Sequence, residues 1–559
     1  MIVAEVVGRT LAALGVDTVF GVVGSGNFHV TNALVDGGAR FVAARHEAGA
    51  ATMADAYARV SGKVGVVSVH QGPGLTNALT GLAEAAKSGT PLVVLAGEAT
   101  ETRSNFHIDQ DALATAVGAV PMRVDDAGSA TETAVRAYAT ATRERRAVLL
   151  NLPLDVQRAD GGPGPGSAPA LPALPERKTG TLARVWPDGG AEALAWMLTR
   201  SERPVFVAGR GARRARHQLE ELADLVGALL ATSAVAKGLF RGNPWDLDVS
   251  GGFSSPLAAR LIRDADVLVA WGCSLNGWTT RHGALVGPGT EVVQIDLDEE
   301  SIAVHQRVSL GLVGDIPEVA AAVADVLRPA GSRPSGPSSP APRGYRTPAL
   351  AGRIAAERAW RNVPYEDESG DGRIDPRTLT IALDDLLPDE RIVATDSGNF
   401  MGYPAMFLDV PDEDGFCFTQ GFQAVGLGLA TAVGAALARP DRLPVAALGD
   451  GGALMGIAEL ETVVRLGLPM VIVVYDDEAY GAEVHHFAGH RLDTVTFPPA
   501  DLASIARGHG CAAVTVSGVP DLDGVAAWLR GPRDRPLLVH AKITRERGSW
   551  WLEEAFRGH

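Results

Sequence analysis

Short, uninterrupted apolar runs rich in β-branched residues recur along this chain, each followed by a longer run with helical spacing. "VGVVSV" (64–69) and "PLVVLAG" (91–97) flank a helical pattern that starts near Leu75. "PVFVAG", "ADVLVAWG" and "EVVQIDLD" repeat the alternation in the middle, and "RIVATD", "PVAALGD", "PMVIVVYDD" and "PLLVHAKI" repeat it in the last third. A strand without polar alternation is buried on both faces, which a parallel sheet covered by helices on each side achieves. The expectation is an α/β protein of three consecutive α/β domains with parallel sheets. Two stretches dominated by Pro, Gly and Ser, 158–176 and 328–345, cannot continue a helix or a central strand and read as linkers. They leave domain-sized blocks at 1–160, 180–328 and 346–559. In open sheets of this kind, ligands sit beyond the carboxyl ends of the strands.

Composition narrows the function classes. Hydrophobic residues make up 46% and charged residues 21% of the 559, which fits packed cores and not a disordered chain. A formal charge of −16 lacks the basic footprint of sequence-independent nucleic-acid binding. Cys273, Cys417 and Cys511 are too scattered for a disulfide framework or a metal cluster, and read as reduced core residues. The opening "MIVAEVVGRTLAALGVDTVFG" carries Glu5 and Arg9 inside its apolar pattern, as an amphipathic helix does and a signal peptide does not. No apolar run reaches membrane-spanning length. The default is a soluble cytoplasmic protein with no nucleic-acid or membrane partner.

Three stretches place ionisable groups where buried strands end. "RHEAGAA" (45–51) follows "RFVAA" and runs into the small-residue helical segment "AGAATMADAYAR". Glu47 there is either a solvated helix N-terminus favoured by the dipole or a carboxylate held for chemistry. "ALGDGGALM" (447–455) sets Asp450 among Gly449, Gly451 and Gly452, where the backbone can approach a ligand closely, although Gly-Asp-Gly is also a common turn. After the helical "GIAELETVVRLG", the next buried strand ends in "DDEAYGAE" (476–483). Two successive strands thus deliver carboxylates to one edge, an oxygen set that suits magnesium on a diphosphate.

Asp450, the 26 residues between, and Asp477 followed by "EAYG" resemble the magnesium–diphosphate motif of thiamine diphosphate enzymes. The whole chain is similar to the acetolactate synthase, benzoylformate decarboxylase and pyruvate decarboxylase superfamily, whose pyrimidine-binding, central and diphosphate-binding domains come in that order. The resemblance implies a 2-keto acid substrate, thiamine diphosphate and Mg2+. It implies Asp450, Asp477 and the Ala479 carbonyl as metal ligands. Asp476-Asp477 departs from the usual Asn-Asn and adds negative charge. Cofactor contacts are implied for Ser397, Gly398 and Asn399 of "SGNF", for Gln423 and Val425 of "GFQAVG", for Gly449, Gly451 and Gly452, and for Tyr480 and Gly481. Val425 falls where the family places a larger apolar residue beneath the bent cofactor. Pro73 and Asn77 of "HQGPGLTN" are implied at the pyrimidine. Glu47 matches the family's catalytic Glu, which bonds the aminopyrimidine and favours the tautomer that removes the thiazolium C2 proton; an apolar setting would raise its carboxyl pKa and help it share a proton. Because pyrimidine and diphosphate contacts come from different subunits in this superfamily, a homodimer is the implied minimum and a homotetramer is compatible.

Residues around the reacting carbon separate the members. Ser25 in "GVVGSGNFHV" and His70 match benzoylformate decarboxylase positions, and Glu483 matches an acid–base Glu of pyruvate decarboxylases. His70 reads equally as bonded to a backbone group, and Glu483, His485 and His486 as facing solvent. Phe106-His107 stands where acetolactate synthases carry Phe-Gln. Arg281 in "CSLNGWTTRHG", beside Trp278 and His282, reads as a holder of a carboxylate or phosphate or as a surface ion. Trp550 and Trp551 read as a tail closing over the site or as simple packing. The expected activity is 2-keto acid decarboxylation, with or without carboligation to a second carbonyl. The alternatives are an FAD-containing acetolactate synthase, although no flavin signature is read in the central block, a cofactor-binding protein without catalysis, and a nucleotide-binding protein using "GDGG".

Overall fold

The computed structural model describes all residues except 165–168, 171–179, 183–188, 329–343, 550 and 553–559. Most of both linkers, and Trp550 of the tail, lie outside the described residues. Each block forms one sheet. The first has six parallel strands in the spatial order Arg40–Ala43, Thr18–Gly21, Gly65–Val69, Leu92–Glu98, Ala147–Pro153, Val120–Arg123. The third repeats that order with Phe416–Phe418, Arg391–Thr395, Leu443–Gly449, Val471–Asp476, Leu537–Lys542, Ala512–Val516. The central sheet has seven strands. Six are parallel, and Gly180–Leu182 adds an antiparallel edge beside Leu310–Val313. The strand runs read from sequence are all present. They are buried along nearly their whole length, as sheets covered on both faces require.

The first and third domains share one core. Helix Glu47–Ser61 packs along helix Gly428–Ala438, and both are built from small residues that let their axes approach. A β-carbon on Gly434 would collide with the Met53 carbonyl, so this crossing requires glycine. Next to it lies a buried ion cluster. Arg59 Nε donates to Asp55 Oδ2 at 2.9 Å and its Nη2 donates to Glu84 Oε1 at 2.7 Å. Its Nη1 donates to the Phe418 carbonyl of the third domain at 3.0 Å, while its own carbonyl accepts from Arg213 of the central domain at 2.7 Å. All three domains therefore meet at Arg59. Arg59→Ala would leave two buried carboxylates unmatched, and is expected to cost about 3–5 kcal/mol in equilibrium unfolding.

Cys273, Cys417 and Cys511 are buried free thiols, each pushed up by burial. No helix among the described residues is long and apolar enough to cross a membrane.

Candidate functional site

Three neighbouring strands of the first sheet end at one edge. The loop after Thr18–Gly21 carries Ser25, which is exposed. The strand Arg40–Ala43 leads to Glu47, the first residue of its helix, where the macrodipole favours negative charge. The strand Gly65–Val69 leads to His70 and then to the helix Pro73–Lys87, opened by Pro73. Asn77, one turn into that helix, donates from Nδ2 to Glu47 Oε2 at 3.0 Å. The Gly26 amide donates to His70 Nδ1 at 3.2 Å, so the neutral ring carries its proton on Nε2. Burial holds His70 below its usual 6.5, against the pull of the Glu47 charge. The Phe106 ring meets His70 edge-on at 5.3 Å. Glu47 itself is half-buried, less enclosed than an apolar setting implied. Its neighbours in "RHEAGAA" are held by a buried carboxylate of the third domain: the amides of Arg45 and His46 donate to Glu459 Oε1 at 3.0 and 3.1 Å.

The equivalent edge of the third sheet is built by the same topology. Asp450 follows Leu443–Gly449 and starts a short helix, and Asp477 follows Val471–Asp476. Both are buried. Burial and the neighbouring charges of Asp477 and Asp476 push the Asp450 carboxyl far up, and burial pushes Asp477 up as well. Asp476 turns away, bonded to His540 Nε2 and Lys542 Nζ at 2.6 Å each. Of the "DD" pair, then, Asp477 is the residue that faces Asp450. Gly481 lies against Asp477 and Asn399, and Gly451 against the Tyr480 ring; a β-carbon at either glycine would collide. Tyr480 is braced by Phe497 at 4.8 Å, and Ala479 is fixed by a bridge to Thr496. The Ser397–Asn399 segment follows Arg391–Thr395, and Ser549 binds Asn399 Oδ1 at 2.6 Å. The loop after Phe416–Phe418 carries Gln423 with φ of 59° and Val425, which is 42% exposed beside Gly452.

This donor set fits a magnesium-bound diphosphate. Two buried carboxyls, each pushed up by burial, call for a cation, the Ala479 carbonyl offers a further oxygen two residues past Asp477, and the glycines let the backbone run close beside them. No group of three side-chain ligands occurs among the described residues. No hydrogen bond among the described residues joins Glu47 or His70 to Asp450 or Asp477.

Other sequence candidates fall less centrally. Glu483 and His485, in helix Gly481–His486, are half-buried, and His486 is exposed. Burial pushes His485 down. His107 Nδ1 bonds the Ala99 carbonyl at 2.9 Å. Arg281 donates to the Gly251 and Ser254 carbonyls at 3.0 and 2.9 Å, so its guanidinium braces its own domain. Trp278 packs on Phe253 at 5.6 Å, and Trp551 is buried against Tyr403 at 4.9 Å, as domain packing.

Four residues escaped sequence reasoning. Asp396 accepts from the Ser397 and Gly426 amides at 2.9 Å each, and burial pushes it up to about 6. It ends the run "RIVATD", so the strand-end rule applied to Asp450 would have found it. Glu84 and Glu459 are lone carboxylates inside helices, with no local motif. Gln420 has both atoms of its amide buried and without a hydrogen-bond partner among the described residues, next to the expected pyrimidine loop.

Two topologically matched α/β edges, one with a held Glu and one with a glycine–carboxylate cradle, define a three-domain α/β enzyme built around a diphosphate cofactor. Residues 1–119, 191–323 and 396–541 match, respectively, the N-terminal TPP binding domain, the central domain and the C-terminal TPP binding domain of thiamine pyrophosphate enzymes. The chain belongs to this enzyme family. It is 30% identical, over 93% of its length and 90% of the relative's, to the probable 2-ketoarginine decarboxylase of Pseudomonas aeruginosa. It is 27% identical to the acetolactate synthase isozyme 2 large subunit of Escherichia coli, covering 98% of this chain and 97% of that one. It is 28% identical to the sulfoacetaldehyde acetyltransferase of Castellaniella defragrans, covering 92% and 88%.

Proposed function

We propose that this chain is a thiamine diphosphate- and Mg2+-dependent enzyme that decarboxylates a 2-keto acid, with carboligation to a second carbonyl as the variable second step. Glu47 held by Asn77 beside His70 is the observation that carries the reading. Asp450, Asp477 and the Ala479 carbonyl would hold the metal. Ser397–Asn399, Gly449, Gly451, Gly452, Tyr480 and Gly481 would line the diphosphate, and Pro73, Asn77, Gln423 and Val425 the pyrimidine. Bound there, the cofactor would supply a nucleophilic carbon and an electron sink for decarboxylation. Glu47 holds a proton at the pyrimidine edge, and Asn77 fixes the carboxylate that does so. His70, neutral with its proton on Nε2, moves a proton at the substrate. Ser25, on the loop that contacts His70, and Glu483 would complete the acid–base set at the substrate. Exposed Val23, Phe28, Phe106, Phe422, Val425, Leu454 and Met455 near the two edges support a homodimer or homotetramer in which a second copy covers them.

A titratable His70 on the productive path gives an activity limb that falls as pH drops through a midpoint below 6.5, because protonation removes the neutral ring. His70→Gln is expected to abolish that limb in the kcat/KM profile. The deciding experiment is product analysis after incubation with pyruvate, thiamine diphosphate and Mg2+. Acetaldehyde without acetolactate supports decarboxylation. Acetolactate, with a flavin absorbance in the purified protein, identifies the FAD-containing synthase alternative. Turnover of other keto acids alone moves the donor to an aromatic, branched or acidic class.

A further inference from the structure

Glu84 lies in helix Pro73–Lys87 of the first domain, 1% exposed, and is not itself among the residues assigned above to the cofactor. Its carboxylate reaches across the domain boundary. Oε1 accepts from the Gly421 amide at 2.9 Å and Oε2 from the Phe422 amide at 2.6 Å. Arg59 at 2.7 Å and the Ser88 hydroxyl at 3.0 Å complete its bonds. Burial works against the charged form, but Arg59 and the two amides hold the carboxyl below its ordinary range, so it is ionised at neutral pH. Two consecutive amides aimed at one carboxylate form an anion-binding turn of backbone, a geometry that fixes the orientation of the loop and not only its position.

The loop held this way needs holding. Gly421, Phe422 and Gln423 are exposed, and Gln423 sits in the left-handed region at φ 59°. Its far end is tied by the Gly426 amide to buried Asp396 at 2.9 Å. The segment from 421 to 426 is thus strung between two buried carboxylates, Asp396 from its own domain and Glu84 from the other. Arg59 reinforces the second anchor by bonding both Glu84 and the Phe418 carbonyl just upstream. The network leaves Gln423 and Val425 displayed between the anchors.

We propose that Glu84 is a positioning residue: it grips the Gly421 and Phe422 amides from the first domain and so sets the loop that presents Gln423 and Val425 to the cofactor. This inference rests on the assignment of that loop to thiamine diphosphate. Glu84→Gln keeps the size but turns one acceptor into a donor facing an amide. Glu84→Asp keeps the charge opposite Arg59 but is one methylene too short to span both amides.

The test uses the full chain, with amide hydrogen exchange resolved to 419–428, tryptophan-fluorescence titration with thiamine diphosphate plus Mg2+, and steady-state kinetics at saturating cofactor. Expected for Glu84→Asp are a nearly unchanged melting temperature, faster exchange at 421 and 422, cofactor affinity weaker by roughly 10- to 100-fold, and kcat within about threefold once the cofactor saturates. Glu84→Gln, which also removes a buried charge opposite Arg59, should lower the melting temperature and show the faster exchange and weaker binding more strongly. Unchanged exchange at 421 and 422 in both variants would overturn the role of Glu84 whatever the cofactor does. So would exchange raised evenly through both domains with affinity lost only in proportion to unfolded protein, since that describes a structural residue. If the wild type itself fails to bind thiamine diphosphate, the cofactor assignment falls, and the loop-exchange result still reports on the grip.

Discussion

Glu47→Gln is expected to lower turnover by about 10²- to 10⁴-fold, the usual range for losing a positioned general acid–base group, while thiamine diphosphate still binds. The carboxylate is fixed on one side by Asn77 at 3.0 Å and stands at the N-terminus of a helix whose two preceding residues, 45 and 46, are anchored by Glu459. A glutamine preserves the length and the bond from Asn77, so the geometry of the edge survives. What it cannot do is hold or release a proton at neutral pH. Fluorescence titration of cofactor separates binding from chemistry, and single-turnover decarboxylation measures the loss. Activity within a fewfold of wild type would show that Glu47 is an ordinary solvated helix start.

The second large effect belongs to the carboxyl pair. Asp450→Ala should weaken Mg2+-dependent cofactor binding by at least about 100-fold, the upper end of what removing a mere supporting group costs a metal site. Asp477→Asn should retain binding, because an amide oxygen still donates and one buried charge is removed. The same pair predicts a pH signature in the cofactor- and metal-free protein. Both carboxyls titrate above their ordinary range in the folded chain, so the folded state holds those protons more tightly than the unfolded chain does. Their contribution to stability is therefore fully present below about pH 4, the unfolded carboxylate value, and is lost as pH rises through the raised folded values. Thermal unfolding across that range, with and without Mg2+, checks it: the metal should restore stability at the high-pH end, and Asp477→Asn should flatten the profile. An Asp450→Ala protein that binds the cofactor normally would remove the metal site from 450–479.

How much of this was readable from residues alone differs from element to element. The strand runs were legible because a strand buried on both faces is almost continuously apolar. Asp450 and Asp477 were legible because each ends such a run, Asp450 directly between glycines. Asp396 also ends such a run, but "TDSGN" lacks a flanking glycine pair. Arg281 read as a ligand holder or a surface ion, and two of its donors go to the Gly251 and Ser254 carbonyls; a guanidinium's partners are set by where the loop folds, and local sequence does not specify them. Of the aromatic tail, Trp551 packs in the core against Tyr403.

The sequence by itself determined the class of fold, the division into three α/β units and the strand ends where polar groups collect, because periodicity and turn residues are local and each strand end advertises its own polar groups. Only the tertiary structure decided that the first and third sheets share one strand order, that Asp476 faces His540 and Lys542 while Asp477 faces Asp450, and that Glu84 and Glu459 reach across a domain boundary. Those are contacts between residues more than three hundred positions apart for Glu84 and Glu459. A lone buried carboxylate in a helix carries no mark of its partner, since its charge is compensated only when the two domains pack.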